Sequence, residues 1–182
     1  NMWTSKKFKY PDKPMDRGKV RWGADMEKFL EAHGGEWGRY RDVDGDGIPW
    51  RTLPGNTHPK SAYFARGTSH NEDTGYTEDP EKWETIFKRI GSKFETAKQY
   101  IPKAVVEQKV GTKFGFIASG SADPAVQEAR ALLRKVGIES DYLRVRSIPF
   151  NDEIGDFIKE HEKIVVVEIN RDGQLHQLLK IQ

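Results

Sequence analysis

From residue 80 onward the apolar positions of this chain alternate between two rhythms. Trp83, Ile86, Phe87, Ile90, Phe94, Ala97 and Ile101 recur at intervals of three and four, with Lys and Glu covering the other face. That spacing lines up one continuous stripe on an α-helix. Asp79 is a good N-cap, and Pro80 stands where a missing N–H costs nothing, so a helix is predicted over 80–100. Gly91 sits inside it and weakens it modestly. A core helix is the expected use of such a stripe, with a partner-binding face as the alternative.

At Lys113 the rhythm changes. Phe114–Ser119 is a short apolar run ending in Gly120-Ser121, and Asp123-Pro124 then opens a helix. Val126, Ala129, Leu132, Leu133 and Val136 are its expected buried face, and Gly137 its end. Tyr142–Arg146 alternates as a strand does. Asn151 can cap a short helix bearing Ile154, Phe157 and Ile158. Ile164–Ile169 is almost all β-branched and apolar, which predicts a strand covered on both faces. Asn170-Arg171-Asp172-Gly173 turns into a last helix with Leu175, Leu178 and Leu179. Strand and helix alternating at this spacing predict a parallel α/β sheet.

The first 78 residues have almost no period. Pro11, Pro14, Pro49, Pro54 and Pro59 and scattered glycines break them up, and one helix stands out at about 25–33, with Met26, Phe29, Leu30 and His33 on one face. Gly34 is placed to stop it in a left-handed conformation. The other loops are far longer than ordinary connections, and loops of that length wrap a neighbouring surface or line a site. The natural boundary lies between the long helix and Phe114, giving segments 1–102 and 103–182.

Composition sharpens this reading. Only 36% of the 182 residues are hydrophobic while 32% are charged, a thin supply for a core of this length. Five Trp and nine Phe argue against disorder, so order that depends on a partner is expected. Thirty basic residues against 28 acidic ones leave a charge of +2, and clusters such as Lys6-Lys7-Phe8-Lys9 are short, so nucleic acid is not an expected partner. No apolar run approaches the roughly 20 residues that span a bilayer, and Asn1-Met2-Trp3-Thr4 lacks signal-peptide features; a cytoplasmic protein is expected. The chain has no cysteine, so it offers no disulfide, no thiol nucleophile and no thiolate for zinc or an iron–sulfur cluster.

Several motifs invite chemistry. Asp42-Val43-Asp44-Gly45-Asp46-Gly47 opens like a calcium loop, but its twelfth position is Leu53, where a bidentate Glu is needed. Gly45-Asp46-Gly47 also opens the thiamine-diphosphate signature, yet Asn71 is followed by Glu72 where that signature has a second Asn. A tight Asp/Gly turn is the expected reading of both. Gly120-Ser121-Ala122-Asp123 lies where a helix N-terminus could take an anion, and the Asp123 carboxylate competes with one, so capping is expected. No two histidines have a metal-site spacing, and no serine has an identifiable base and acid.

A series of segments carries more than the rhythm does. Phe8-Lys9-Tyr10-Pro11 and Met15-Asp16-Arg17-Gly18-Lys19-Val20 come first. Arg39-Tyr40-Arg41-Asp42-Val43-Asp44-Gly45-Asp46-Gly47-Ile48-Pro49 runs into Arg51-Thr52-Leu53-Pro54-Gly55. Then come His58-Pro59, Ala62-Tyr63-Phe64, Arg66-Gly67-Thr68-Ser69-His70-Asn71-Glu72 and Tyr76-Thr77-Glu78-Asp79-Pro80. Gly120-Ser121-Ala122-Asp123-Pro124-Ala125-Val126 and Glu168-Ile169-Asn170-Arg171-Asp172-Gly173-Gln174-Leu175 complete the series. In this order, and over essentially the whole chain, they resemble the C-terminal portion of the alpha subunit of 2-oxoacid:ferredoxin oxidoreductases of the 2-oxoglutarate type.

The resemblance implies oxidative decarboxylation of a 2-oxoacid with coenzyme A to an acyl-CoA and CO2, electrons passing to ferredoxin. It implies thiamine diphosphate, Mg2+ and an iron–sulfur cluster held mainly by a beta subunit or other segments, with none bound by this chain alone. Residues 1–102 would then be the end of a pyrimidine-binding domain and a linking arm with the long helix. Residues 103–182 would be an incomplete parallel βα sheet of the transketolase C-terminal-like kind. The family's Tyr-Pro-Ile-Thr-Pro segment is expected upstream of Asn1, and further strands beyond Gln182. Arg51, His58, Arg66 and His70, on the long loop, are the candidate lining of a substrate or CoA entrance, because cations attract the acid and the coenzyme's phosphates. Subunit assembly is the other expected role, and activity of the chain by itself is not expected. The competing class is a non-enzymatic α/β interaction module that uses the arm and the Trp83–Ile101 stripe; a third reading binds calcium at Asp42–Asp46.

Overall fold

The computed structural model describes residues 10–14, 16–22, 24–35, 37–64, 67–109 and 111–181. The run Lys6-Lys7-Phe8-Lys9, Met15 and the candidate Arg66 lie outside the described residues. The chain divides into two compact units, Tyr10–Gln99 and Tyr100–Gln182.

The second unit is α/β. Its strands are β1 (Val105–Glu107), β2 (Phe114–Ser119), β3 (Asp141–Val145) and β4 (Lys163–Val167). Helices α3 (Asp123–Lys135), α4 (Asp152–Glu160) and α5 (Gln174–Lys180) follow β2, β3 and β4 in turn. The sheet order is β1-β3-β2-β4; β2 pairs parallel with both β3 and β4, in register Phe116↔Tyr142 and Phe116↔Val165. The three βα units expected from the rhythm are therefore present, in a sheet open at β4.

Side-chain alternation on β2 and β3 builds a core on each face of the sheet. Phe116, Ala118 and Tyr142 pack with Ala122 and Val126 on one face. Ile117, Leu143 and Val145 pack with Phe150, Ile154, Phe157 and Leu175 on the other. Gly115 leaves room for helix α4: a Cβ there would lie 2.8 Å from the Phe157 ring and 3.2 Å from His161.

Three expectations need correcting. Strand β1 has no counterpart in the predicted elements; it pairs antiparallel with β3, and its Val105-Val106-Glu107 are exposed. The β-branched run of β4 is only half-buried, because the strand order leaves it at the sheet edge. On α3 the face turned inward carries Asp123, Val126 and Arg130, while Ala129, Leu132 and Val136 are exposed. Arg130 occupies the place expected of an apolar residue because its head finds partners inside, donating to the Ser140 carbonyl at 3.0 Å and to Glu107 at 2.5 Å.

The first unit contains α1 (Ala24–Ala32) and α2 (Pro80–Ala97), joined by loops and a short 3-10 turn at Pro59–Ser61. Gly34, at φ +74°, follows α1 as expected. Asp79 caps α2 by accepting from the Glu81 N–H at 2.9 Å. The apolar core here is thin: Met26, Phe29 and Leu30 of α1 and Ile86 of α2 are its buried hydrophobic residues. The stripe on α2 is not the core face expected of it. Ile86 is 5% exposed, but Trp83, Phe87 and Phe94 are 48%, 53% and 48% exposed. Trp83 and Phe87 stack on each other, ring centroids 3.9 Å apart, while the loops of this unit pack on the neighbouring face of α2 through Arg89, Lys93 and Thr96.

Candidate functional site

The loop 42–47 is the turn expected from its Asp and Gly content. The Asp42 carboxylate accepts from the Gly45 N–H at 3.0 Å and the Gly47 N–H at 2.9 Å, and Asp46 accepts from Ile48 N–H at 2.8 Å. Gly45 and Gly47 both have positive φ. Carboxylate oxygens of Asp42, Asp44 and Asp46 lie within 4.8 Å of one another. A protein cation already pairs with two of the three: Lys19 Nζ stands 2.6 Å from Asp44 and 2.6 Å from Asp46. Burial opposes that charge, yet the bonds to the two carboxylates raise the Lys19 ammonium above its ordinary value, and the Lys19 bond in turn helps hold Asp46 low.

The other side of the loop docks on α2. Arg89 Nη1 donates to the Gly47 carbonyl at 2.9 Å, and the Thr96 hydroxyl donates to the Asp46 carbonyl at 2.6 Å. Backbone of Arg89 and Lys93 comes so close that Gly47 has no room for a side chain.

Beside this contact lies a cavity of about 310 Å³. Arg17 and Lys19 line it from the first loop, Arg39, Tyr40 and Arg51 from the middle of the unit, and Arg89 and Lys93 from successive turns of α2. Residues 19–21 and 51 hold the first two walls in register, through Arg51 N–H to the Lys19 carbonyl at 3.0 Å and Arg21 N–H to the Arg51 carbonyl at 2.9 Å. Arg51 Nη2 donates to the Arg17 carbonyl at 2.9 Å. Among the described residues, no carboxylate comes within ion-pairing distance of Arg17, Arg39, Arg51, Arg89 or Lys93; Lys19 is the lining cation that is paired. Burial pushes the Arg89 guanidinium below its ordinary range, and the Arg39 charge adds to this against the pull of Asp42 and Glu72.

The candidate residues fall in different places. Arg51 lines the basic cavity. His70 stacks on Tyr40 of the cavity wall, ring centroids 4.2 Å apart, and its Nδ1 lies 3.0 Å from the Asn71 carbonyl. His58 is elsewhere: its Nδ1 accepts from the Lys60 N–H, capping the 3-10 turn, and its Nε2 lies 2.6 Å from Glu27. The structure thus draws Arg51 and His70 towards one cavity and His58 into a loop contact. Sequence reading missed Arg17, Lys19, Arg39, Tyr40, Arg89 and Lys93. The i, i+4 spacing of Arg89 and Lys93 marks a shared helix face, but nothing local in sequence shows three distant segments converging on it.

In the α/β unit, a second cavity of about 460 Å³ opens at the carboxyl ends of the strands, lined by Ser119, Gly120, Arg146, Ser147, Glu168 and Leu178 among others. Asp123, expected to serve the helix end, is turned inward; it accepts from the buried Tyr142 hydroxyl at 3.1 Å and pairs with Arg144 at 3.2 Å. Burial, and then this bond, hold the Tyr142 phenol well above its ordinary range.

No protein-family model matches the sequence, and no curated protein matches it. Solved structures do. The chain shares its fold with part of a 2-oxoglutarate:ferredoxin oxidoreductase. That protein, from Magnetococcus marinus, was solved with 2-oxoglutarate, coenzyme A and succinyl-CoA bound. The superposition has a TM-score of 0.69 and 24% identity, covering 80% of this chain and 25% of the other, so the chain spans about a quarter of that protein's length. The alpha chain of a probable 2-oxoacid ferredoxin oxidoreductase from Thermoplasma acidophilum also matches, at 23% identity over 43% of this chain and 70% of that one. Its TM-score of 0.28 is too low to bear on the fold. Among the described residues no helix is long and apolar enough to cross a membrane.

Proposed function

We propose that this chain is part of the alpha subunit of a thiamine-diphosphate-dependent 2-oxoacid:ferredoxin oxidoreductase, serving subunit assembly and the entrance for substrate and CoA. The observation that supports this most is the fold likeness over four-fifths of the chain, joined to the ordered series of motifs from Tyr10-Pro11 to Gly173-Gln174-Leu175. Arg51 and His70 are the entrance residues best placed for an acidic substrate, with Arg66 on the same loop in sequence; His58 would hold that loop to Glu27.

The cofactors of such an enzyme do not fit this chain's own residues. It has no thiolate for a cluster. The one Asp of its Gly-Asp-Gly triplet, Asp46, is taken up by Lys19 and the Ile48 N–H and so is not a free magnesium ligand. In this reading thiamine diphosphate, Mg2+ and the iron–sulfur cluster belong to a beta subunit or other segments, and ferredoxin is met through the complex. The compartment consistent with this is the cytoplasm.

Purification of the native particle tests the proposal. A cysteine-bearing, thiamine-binding partner and stoichiometric iron are expected, with 2-oxoacid-dependent reduction of ferredoxin by the particle and none by this chain alone. A particle without iron and thiamine would refute it. The second reading, a non-enzymatic interaction module, is favoured by the exposed Trp83, Phe87 and Phe94 face; it predicts a stable partner that carries no cofactor.

A further inference from the structure

In the α/β unit, strand β2 and its two neighbours send their helices to opposite faces of the sheet. The chain leaving β2 enters α3, whose Val126 packs on the Phe116 and Tyr142 face. The chains leaving β3 and β4 enter α4 and α5, whose Ile154, Phe157 and Leu175 pack on the other face. Where neighbouring strands part in this way, their carboxyl ends leave a crevice, the usual place for a ligand in an open parallel sheet. The cavity of about 460 Å³ lies there: Ser119 and Val145 are the last residues of β2 and β3, and Arg146 and Glu168 the first after β3 and β4. Small-molecule sites have volumes of this order, roughly 300–1,000 Å³. Apolar residues line part of it, Val145 and Leu175 buried, Ile148 and Leu178 with 64% and 39% of their surface exposed. Arg146 and Glu168 add one charge of each sign and lie beyond ion-pairing distance of each other. Among the described residues Arg146 has no ion pair or hydrogen bond, and the Ser119 hydroxyl has no partner. The Glu168 carboxylate accepts from the Leu175 N–H with both oxygens, at 2.9 and 3.0 Å, which orients it and leaves its charge intact.

We propose that this cavity binds a zwitterionic α-amino acid with an apolar side chain, its carboxylate on Arg146 and its ammonium on Glu168. A guanidinium fork matches the two oxygens of a carboxylate, and a fixed carboxylate accepts from an ammonium in a charge-assisted bond. The ligand carries both charges on one carbon, so it bridges the gap between Arg146 and Glu168 and cancels both. Val145, Ile148, Leu175 and Leu178 give its side chain an apolar surface away from water. A phosphate ester would bring two negative charges to one cation and one carboxylate. A simple carboxylic acid would leave Glu168 beside it unpaired. The site uses none of Arg51, His58, Arg66 or His70, and the inference does not depend on the oxidoreductase reading.

Titration of the isotope-labelled full chain with L-leucine tests it, read in the backbone amide shifts of Arg146, Glu168 and Leu175. Saturable shifts centred on these residues are expected at about millimolar ligand. Leucinamide lacks the carboxylate charge and isocaproate lacks the ammonium; each should bind about tenfold more weakly or worse. Two variants separate the two contacts. Arg146→Gln breaks no bond among the described residues, so it should leave the melting temperature unchanged and bring L-leucine down to the affinity of leucinamide. Glu168→Gln keeps an oxygen for the Leu175 N–H and should bring L-leucine down to the affinity of isocaproate. A variant that merely loosened the loop would weaken all three ligands alike, and that result would overturn the proposal. So would the absence of a saturable shift with L-leucine, either analogue binding as tightly as L-leucine, or shifts centred away from the cavity.

Discussion

Gly47 concentrates the packing of the first unit into one residue. It sits at φ +77°, and a Cβ there would lie 2.8 Å from both the Arg89 carbonyl oxygen and Lys93 Cα. Neither is a flexible side-chain end, so the loop must lift off α2 to admit a methyl group. Gly47→Ala should therefore destabilise the unit by about 3 kcal/mol, read as a lower urea midpoint, whereas Gly45→Ala, open at its Cβ, should cost less. Equal losses would mean that the docking is not tight. The Lys19 clasp on the same loop gives a pH signature. Asp46, held below its ordinary 3.8, stabilises the fold above its unfolded pKa and stops doing so as pH falls through the folded value. Lys19, raised above 10.5, stabilises below that value and stops as pH rises through its folded one. The stability difference between wild type and Lys19→Met should thus be largest between about pH 5 and 10 and close on both sides. A difference constant with pH would rule the clasp out. In the other unit, both ring nitrogens of the buried His161 face oxygens, Phe157 O at 2.6 Å and Asp141 Oδ2 at 3.1 Å. His161→Leu leaves the buried Asp141 carboxylate with the Lys109 N–H, 3.0 Å from Oδ1, and nothing for Oδ2, and should cost roughly 3 kcal/mol by chemical denaturation, part of it recovered with Asp141→Asn added.

At the scale of elements, α2 carries the clearest lesson. Its start was legible because Asp79 and Pro80 are local signals, and its stripe was legible as a period. What covers the stripe was not, because periodicity fixes a face and not its neighbour. Trp83, Phe87 and Phe94 turn out exposed while Ile86 is buried. Replacing the three aromatics with Ser should cost less per residue than Ile86→Ala, about 1 kcal/mol each against about 2–4 kcal/mol, because half of each ring is already in solvent. In the native particle the triple variant should lose its partner; retention of the partner would remove this face from the assembly surface. The same limit explains β4. A run of Ile and Val is compatible with either a central or an edge strand, and only the pairing order β1-β3-β2-β4 decides between them. Strand β1 left no sequence trace because three exposed residues with no alternation carry none. The basic cavity was half legible: Arg51 and His70 stood out on the loop, but Arg89 and Lys93 read as the solvated side of α2 until the fold laid the loop against them.

Across the whole molecule the two units differ in how much apolar surface they bury, and four of the chain's five tryptophans lie in one of them. The buried hydrophobic residues of Tyr10–Gln99 are Met26, Phe29, Leu30 and Ile86, while Tyr100–Gln182 has a core on each face of its sheet. Conformational entropy opposes order at every residue, so the unit with fewer buried side chains should open first. Trp22, Trp37, Trp50 and Trp83 lie in that unit, and the fifth, Trp3, lies outside the described residues, so a Trp3→Phe variant is the one whose fluorescence reads Tyr10–Gln99. In a urea titration the tryptophan fluorescence should therefore change at lower denaturant than the amide exchange of β2 and β3, whose protection should persist longest. Coincident transitions would show that the thin unit draws its stability from the rest of the chain.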